Sequence, residues 1–134
     1  MVSITVNYEG DLRTSSIHLK SQNSLITDAP TDNNGKGEAF SPTDLLATSL
    51  ATCMITVMGI EARKREIHYE DISAEVEKVM TSSPRKVQAV NIKLKMKGGF
   101  SDKERTILEH TGRNCPVALS LSEELVQNVE FVYE

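Results

Sequence analysis

Sixteen consecutive residues, Leu45 to Ile60, carry no charge, and no other part of the chain is as long or as apolar. The run sits inside SPTDLLATSLATCMITVMGIEARKR, Ser41 to Arg65. Ser41 suits a helix N-cap, Pro42 the first helical position, and Asp44 the place from which a capping-box acid reaches back to open N–H groups. Leu46, Leu50, Cys53, Val57 and Ile60 fall on one 3.6-residue stripe, and Leu45, Ala47, Ala51, Met54 and Met58 widen it. This pattern predicts a central helix buried on nearly all sides. Thr48, Ser49, Thr52 and Thr56 interrupt the run, which is shorter than the roughly 18 apolar residues of a membrane span. A core helix is therefore expected, ending at Arg63, Lys64 and Arg65, where the negative end of the helix dipole favours cations.

The rest of the chain is built around that helix. Val2, Ile4, Val6 and Tyr8 alternate with polar residues, which predicts a half-buried strand turned by Gly10-Asp11. Leu12 to Lys20 and Ser24 to Thr27 read as two more strands of an antiparallel meander. Asp28 to Phe40 holds a Pro, two Gly and several Asp and Asn, and reads as a long loop, a class that is often functional. After the helix, Ile67 to Met80 alternates with a slip at Lys78-Val79, and Val90 to Met96 alternates again. Ser101 with Glu104 caps a helix to about Thr111 with Gly112 as its stop, Pro116 opens another to about Leu125, and Val129, Phe131 and Tyr133 close as a strand. Strands, long helix, strands, short helices and strand predict an α+β fold with antiparallel sheet, as one domain over residues 1–134. A doubly wound parallel sheet is excluded by the lack of repeated strand-helix alternation and of any Gly-rich phosphate loop.

A net charge of -4 argues against nucleic-acid and anionic-membrane partners, which call for basic patches. Aromatics are 4% with no Trp, which removes stacking platforms for bases or sugars. The alternating N-terminus lacks the basic and apolar segments of a secretion signal, so a cytoplasmic protein is expected. Two cysteines, Cys53 and Cys115, lie 62 positions apart. They are too few for a disulfide scaffold and lack the C-x-x-C spacing of zinc or thioredoxin-like sites. His18, His68 and His110 are scattered, so no metal site is expected.

Each thiol has two readings. Cys53 on an apolar stripe fits a small buried hydrophobe. Cys115 stands just before Pro116 at a helix start, beside Arg113, a setting that lowers a thiol pKa and predicts reactivity. Sequence separation does not show whether the two meet.

The stretch SPTDLLATSLATCM, followed 62 residues after Cys53 by NCPVALS, resembles the OsmC/Ohr family of thiol-dependent hydroperoxide reductases. The order of meander, long helix, hairpin, helix and terminal strand is also similar. The resemblance implies an OsmC-like fold in an intertwined homodimer, with Cys53 as the peroxidatic and Cys115 as the resolving thiol. It implies an organic hydroperoxide substrate, no bound cofactor, and an external dithiol reductant. Leu46, Leu50, Met54 and Met58 would form the apolar substrate walls. Family members place an acid directly after the helix-start Pro and an Arg from the N-terminal region near the thiol. Here Thr43 follows Pro42, leaving Asp44 and Glu38 as the candidate acids and Arg13 as the Arg that matches by region. The alternative is a non-catalytic small-molecule binding or redox-sensing domain on the same scaffold.

Overall fold

The computed structural model describes all 134 residues and divides them into two compact units, Met1–Leu45 and Leu46–Glu134. The first unit is a three-stranded antiparallel sheet of β1 (Ile4–Gly10), β2 (Arg13–His18) and β3 (Asn23–Asp28) in the order β1-β2-β3. Positive φ at Asp11 and Leu12 turns the first hairpin and positive φ at Gln22 the second, where the Gln22 N–H donates to the His18 carbonyl. The expected meander is present, but its apolar face is bare. Ile4, Val6 and Tyr8 are 58%, 62% and 68% exposed, because no element of this unit covers them.

The segment after β3 is pinned rather than extended. It carries a 3-10 turn at Thr31–Asn33, and the N–H groups of Asn33 and Gly35 both donate to the Pro30 carbonyl. A Cβ on Gly35 would fall 1.7 Å from the Ala29 carbonyl oxygen, so only glycine fits that turn.

The long helix α1 (Pro42–Lys64) begins where its capping signals stand. The Asp44 N–H donates to Ser41 Oγ at 3.0 Å, and the Ser41 N–H donates to Asp44 Oδ2 at 2.9 Å. Both halves of the capping box are thus made. By length and composition α1 could cross a membrane, with a mean hydropathy of 1.6 over its most apolar window. Its buried residues show what it does here. Ala47, Leu50, Ala51, Met54, Met58 and Ala62 form one stripe, while Thr52, Thr56 and Ile60 are exposed and Cys53 and Val57 half-buried. The expectation of burial on nearly all sides is corrected: the alanines and long side chains of one stripe meet the core, and the stripe with the threonines faces out.

The second unit continues with β4 (Asp71–Ser82), β5 (Arg85–Lys97), α2 (Asp102–Arg113), α3 (Pro116–Ser120) and β6 (Val126–Tyr133). β4 and β5 pair antiparallel with a register shift between Val79 and Met80, one residue from the predicted slip. β6 pairs with β5 in parallel, from Ala89↔Val126 to Met96↔Tyr133, so this sheet is mixed rather than purely antiparallel. The reason is connectivity. α2 and α3 carry the chain back to the start of β5, the crossover that parallel neighbours require.

Val90, Ile92, Leu94 and Met96 of β5 are buried in one cluster with the α1 stripe, Phe100, Leu108, Cys115 and Ala118. Each fully buried Leu or Met side chain stabilises such a core by about 1.5–3 kcal/mol. α2 starts on the predicted capping box of Ser101 and Glu104. It does not stop at Gly112, which lies buried inside the helix, and Asn114 is the C-cap. The Tyr133 hydroxyl donates to Glu109 Oε2 at 2.6 Å, and the Arg105 guanidinium carbon lies 4.1 Å over the Tyr133 ring. Burial, with the Glu109 carboxylate adding to it, pushes the Tyr133 phenol well above its ordinary value. This ties α2 to the last strand.

Candidate functional site

The second unit brings its two cysteines together. Cys53 projects from the middle of α1, and Cys115 is the N-cap of α3. Both are free thiols that belong to or pack on the same apolar cluster, and Cys53 lies near enough to Cys115 to raise its pKa. Cys53 is half-buried, whereas Cys115 is only 1% exposed.

Local sequence explains why Cys115 is held there. Pro116 occupies the first helical position and fixes the backbone entering α3. The Ala118 N–H then donates to Cys115 Sγ at 3.4 Å. On the next strand, Gln127 Nε2 donates to the Ala118 carbonyl at 3.1 Å. A helix start was expected to lower the thiol pKa, and the direction is the reverse. Burial pushes the Cys115 thiol up, the neighbouring Cys53 adds to the rise, and the N–H groups of Ala118 and Val117 oppose it without prevailing. Five helical residues and one long N–H···S bond supply less stabilisation of a thiolate than an apolar surround removes.

The side chains expected to wall a substrate pocket are mostly core. Leu50, Met54 and Met58 are fully buried, and Leu46 is half-buried. The α1 residues that stay accessible on the turns beside Cys53 are Ser49, Thr52, Thr56 and Val57. No group of three or more His, Cys, Asp or Glu side chains is arranged to hold a metal ion.

In the first unit, Arg13 and Glu38 meet. Arg13 Nη2 donates to Glu38 Oε1 at 3.2 Å, but its main partner is Asp28. Nε and Nη2 donate to Asp28 Oδ1 and Oδ2, both at 2.7 Å, in a bidentate pair. The Glu38 N–H donates to Asp28 Oδ2 at 3.1 Å, so one buried carboxylate gathers both expected residues. Hydrogen bonds from Arg13 hold Asp28, 1% exposed, below the usual carboxylate range against the opposing effect of burial. The Arg13 guanidinium is correspondingly held more firmly protonated. Asp28 was not expected as a site residue, because its place depends on the register of β2 against β3. Counting outward along the β2–β3 hairpin from the His18↔Asn23 pair places Asp28 opposite Arg13. Asp44, the other candidate acid, is engaged in the α1 capping box.

Residues 35–130 match the family model described as OsmC-like protein. Among solved structures, the chain is 53% identical to a protein of Psychrobacter arcticus 273-4 named for osmotic stress induction and a detoxification response, covering 98% of this chain and 96% of that one at a TM-score of 0.93. Two more distant structures share the fold. They are an organic hydroperoxide resistance protein OsmC of Legionella pneumophila, 18% identical with 98% of each chain covered and a TM-score of 0.78, and the organic hydroperoxide resistance protein OhrB of Bacillus subtilis, 14% identical with 97% and 98% covered and a TM-score of 0.67. A comparison with curated proteins finds no match.

Proposed function

The chain belongs to the OsmC-like protein family, and on that premise we propose that it is a thiol-dependent peroxidase that reduces organic hydroperoxides. The observation that carries the reading is the pair of free thiols, Cys53 and Cys115, held as neighbours at one apolar cluster. Cys53 is the peroxidatic thiol because it is the more accessible of the two. Its thiolate attacks the distal peroxide oxygen, the O–O bond breaks, and the alkoxide takes up a proton and leaves as alcohol. Cys53 is then a sulfenic acid. Cys115 attacks that sulfur, the S–O bond breaks, water leaves, and a Cys53–Cys115 disulfide remains. An external dithiol reduces it and resets the pair. Structural neighbours named organic hydroperoxide resistance proteins support an alkyl hydroperoxide over hydrogen peroxide.

Two bare surfaces support a homodimer: the Ile4, Val6 and Tyr8 face of the first unit and the outward stripe of α1 at Ile60. A cytoplasmic setting fits the chemistry, since reduced thiols persist there. The test is one equivalent of an organic hydroperoxide added to reduced protein, followed by intact-mass and peptide analysis. A Cys53–Cys115 disulfide is expected, and none in Cys53→Ser. Reduced protein left unchanged by the hydroperoxide rejects the reading.

A second reading, a small-molecule binding or sensing domain, is favoured by Thr43 after Pro42 and by the engagement of Asp44 in the helix cap. Binding of an apolar ligand that is unaltered by Cys53→Ser would select it.

A further inference from the structure

Cys115 lies in a segment tied to β6 at both ends. Upstream, Arg113 Nη2 donates to the Val129 carbonyl at 3.3 Å, and its guanidinium carbon lies 5.0 Å over the Phe131 ring. Downstream, Gln127 donates to the Ala118 carbonyl at 3.1 Å. Ala118 is thus gripped on both sides, by the Cys115 sulfur through its N–H and by Gln127 through its C=O. α3 has only five residues. A helix that short is not self-supporting, and its final carbonyls have no partner within the helix. Its position must come from outside, and the Gln127 amide supplies a directed bond at the residue that also contacts the thiol.

We propose that Gln127 is a positioning residue for Cys115, fixing α3 so that the thiol stands in line to close a disulfide with Cys53. The inference rests on the disulfide chemistry proposed above. Closure is demanding in geometry, since the sulfurs must reach about 2.05 Å at a dihedral near 90°. A thiol on a loosened turn meets that requirement in fewer of its conformations. The Gln127 amide is directed at the Ala118 carbonyl and has no part in the attack of Cys53 on peroxide.

The test measures closure separately from that first step, in the full chain with Gln127→Met and Gln127→Glu. Both variants keep the length of the side chain, and neither offers an N–H donor at neutral pH. Diamide is the first oxidant: one thiolate adds across its N=N bond, and the second thiol displaces the hydrazine to leave the disulfide, with no peroxidase activity needed. Cumene hydroperoxide is the second, and here the Cys53 sulfenic acid partitions between closure and further oxidation to sulfinic acid. Both variants are expected to close about tenfold more slowly with diamide, the effect of losing one net hydrogen bond. They should also accumulate sulfinic acid at Cys53, while the rate of sulfenic acid formation stays at the wild-type value. Closure at the wild-type rate with diamide overturns the proposal, as does equal slowing of both steps, which would mark a general loss of structure. A wild-type protein that closes with diamide but ignores hydroperoxide rejects the peroxidase reading and leaves the diamide comparison to decide the role of Gln127.

Discussion

Gly112 of α2 lies directly under Met58 of α1: a Cβ built on the glycine would sit 2.8 Å from the Met58 sulfur and 3.3 Å from its Cγ. Met58 is fully buried and has little room to withdraw. Gly112→Ala therefore sets two effects against each other, a gain of about 1 kcal/mol in helix propensity and an overpacking cost of about 1–3 kcal/mol. The net expectation is a loss of about 1 kcal/mol in urea unfolding. In a Met58→Ala background the same change should be neutral or stabilising, because the clash is gone. A loss of equal size in both backgrounds would show that the glycine matters for another reason.

Asp28 links stability to acid. Its carboxyl is held low in the folded protein by Arg13, so the stabilisation it gives is present above the ordinary carboxylate value of about 3.9. That stabilisation is lost as pH falls through the lower folded-state value. Amide exchange of residues 12–40 should accelerate over that acid window. Asp28→Asn should exchange fast at neutral pH and lose the acid dependence. Arg13→Lys should resemble it, since an ammonium cannot make the bidentate pair.

Cys115 gives the opposite dependence. Its thiol is raised in the folded state, so the folded protein holds that proton more tightly than the unfolded chain. The associated stability is complete below the unfolded thiol value of about 8.5 and declines as pH climbs through the folded value. Other groups titrate in that range, so the quantity to measure is the difference between wild type and Cys115→Ser in denaturant midpoint against pH. It should shrink as the solution becomes alkaline. Iodoacetamide at neutral pH should modify Cys53 well before Cys115, and a first label on Cys115 would contradict both its burial and its raised value.

The sequence was most legible where chemistry is local. The Ser41, Pro42 and Asp44 signals mark the start of α1, and Ser101 with Glu104 marks that of α2, because a cap is decided by residues three apart. Alternation located β1, β4 and the second half of β5 for the same reason. What escaped depends on long-range assembly. Alternation gives the two faces of β6 but not the direction of its neighbour, so its parallel pairing with β5 was hidden. An apolar stripe shows that Ile4, Val6 and Tyr8 share a face, not that anything covers it. Gly112 reads as a helix stop, although its use is the close approach of α1. The site divides in the same way. The cysteines were recognisable by their flanking residues, whereas their nearness, the role of Asp28 and the grip of Gln127 on Ala118 arise from tertiary placement.

Burial leaves Cys115 holding a proton that most surface thiols would give up more readily. In the proposed closure the raised value slows the attack, which needs the Cys115 thiolate, but the proton released has a use. The sulfenic oxygen leaves Cys53 as water and needs one hydrogen beyond the one it carries, and the attacking thiol brings it. The reactants, a sulfenic acid and a thiol, and the products, a disulfide and water, are thus both neutral. Closure transfers no net charge into a region built from Leu, Met and Ala side chains.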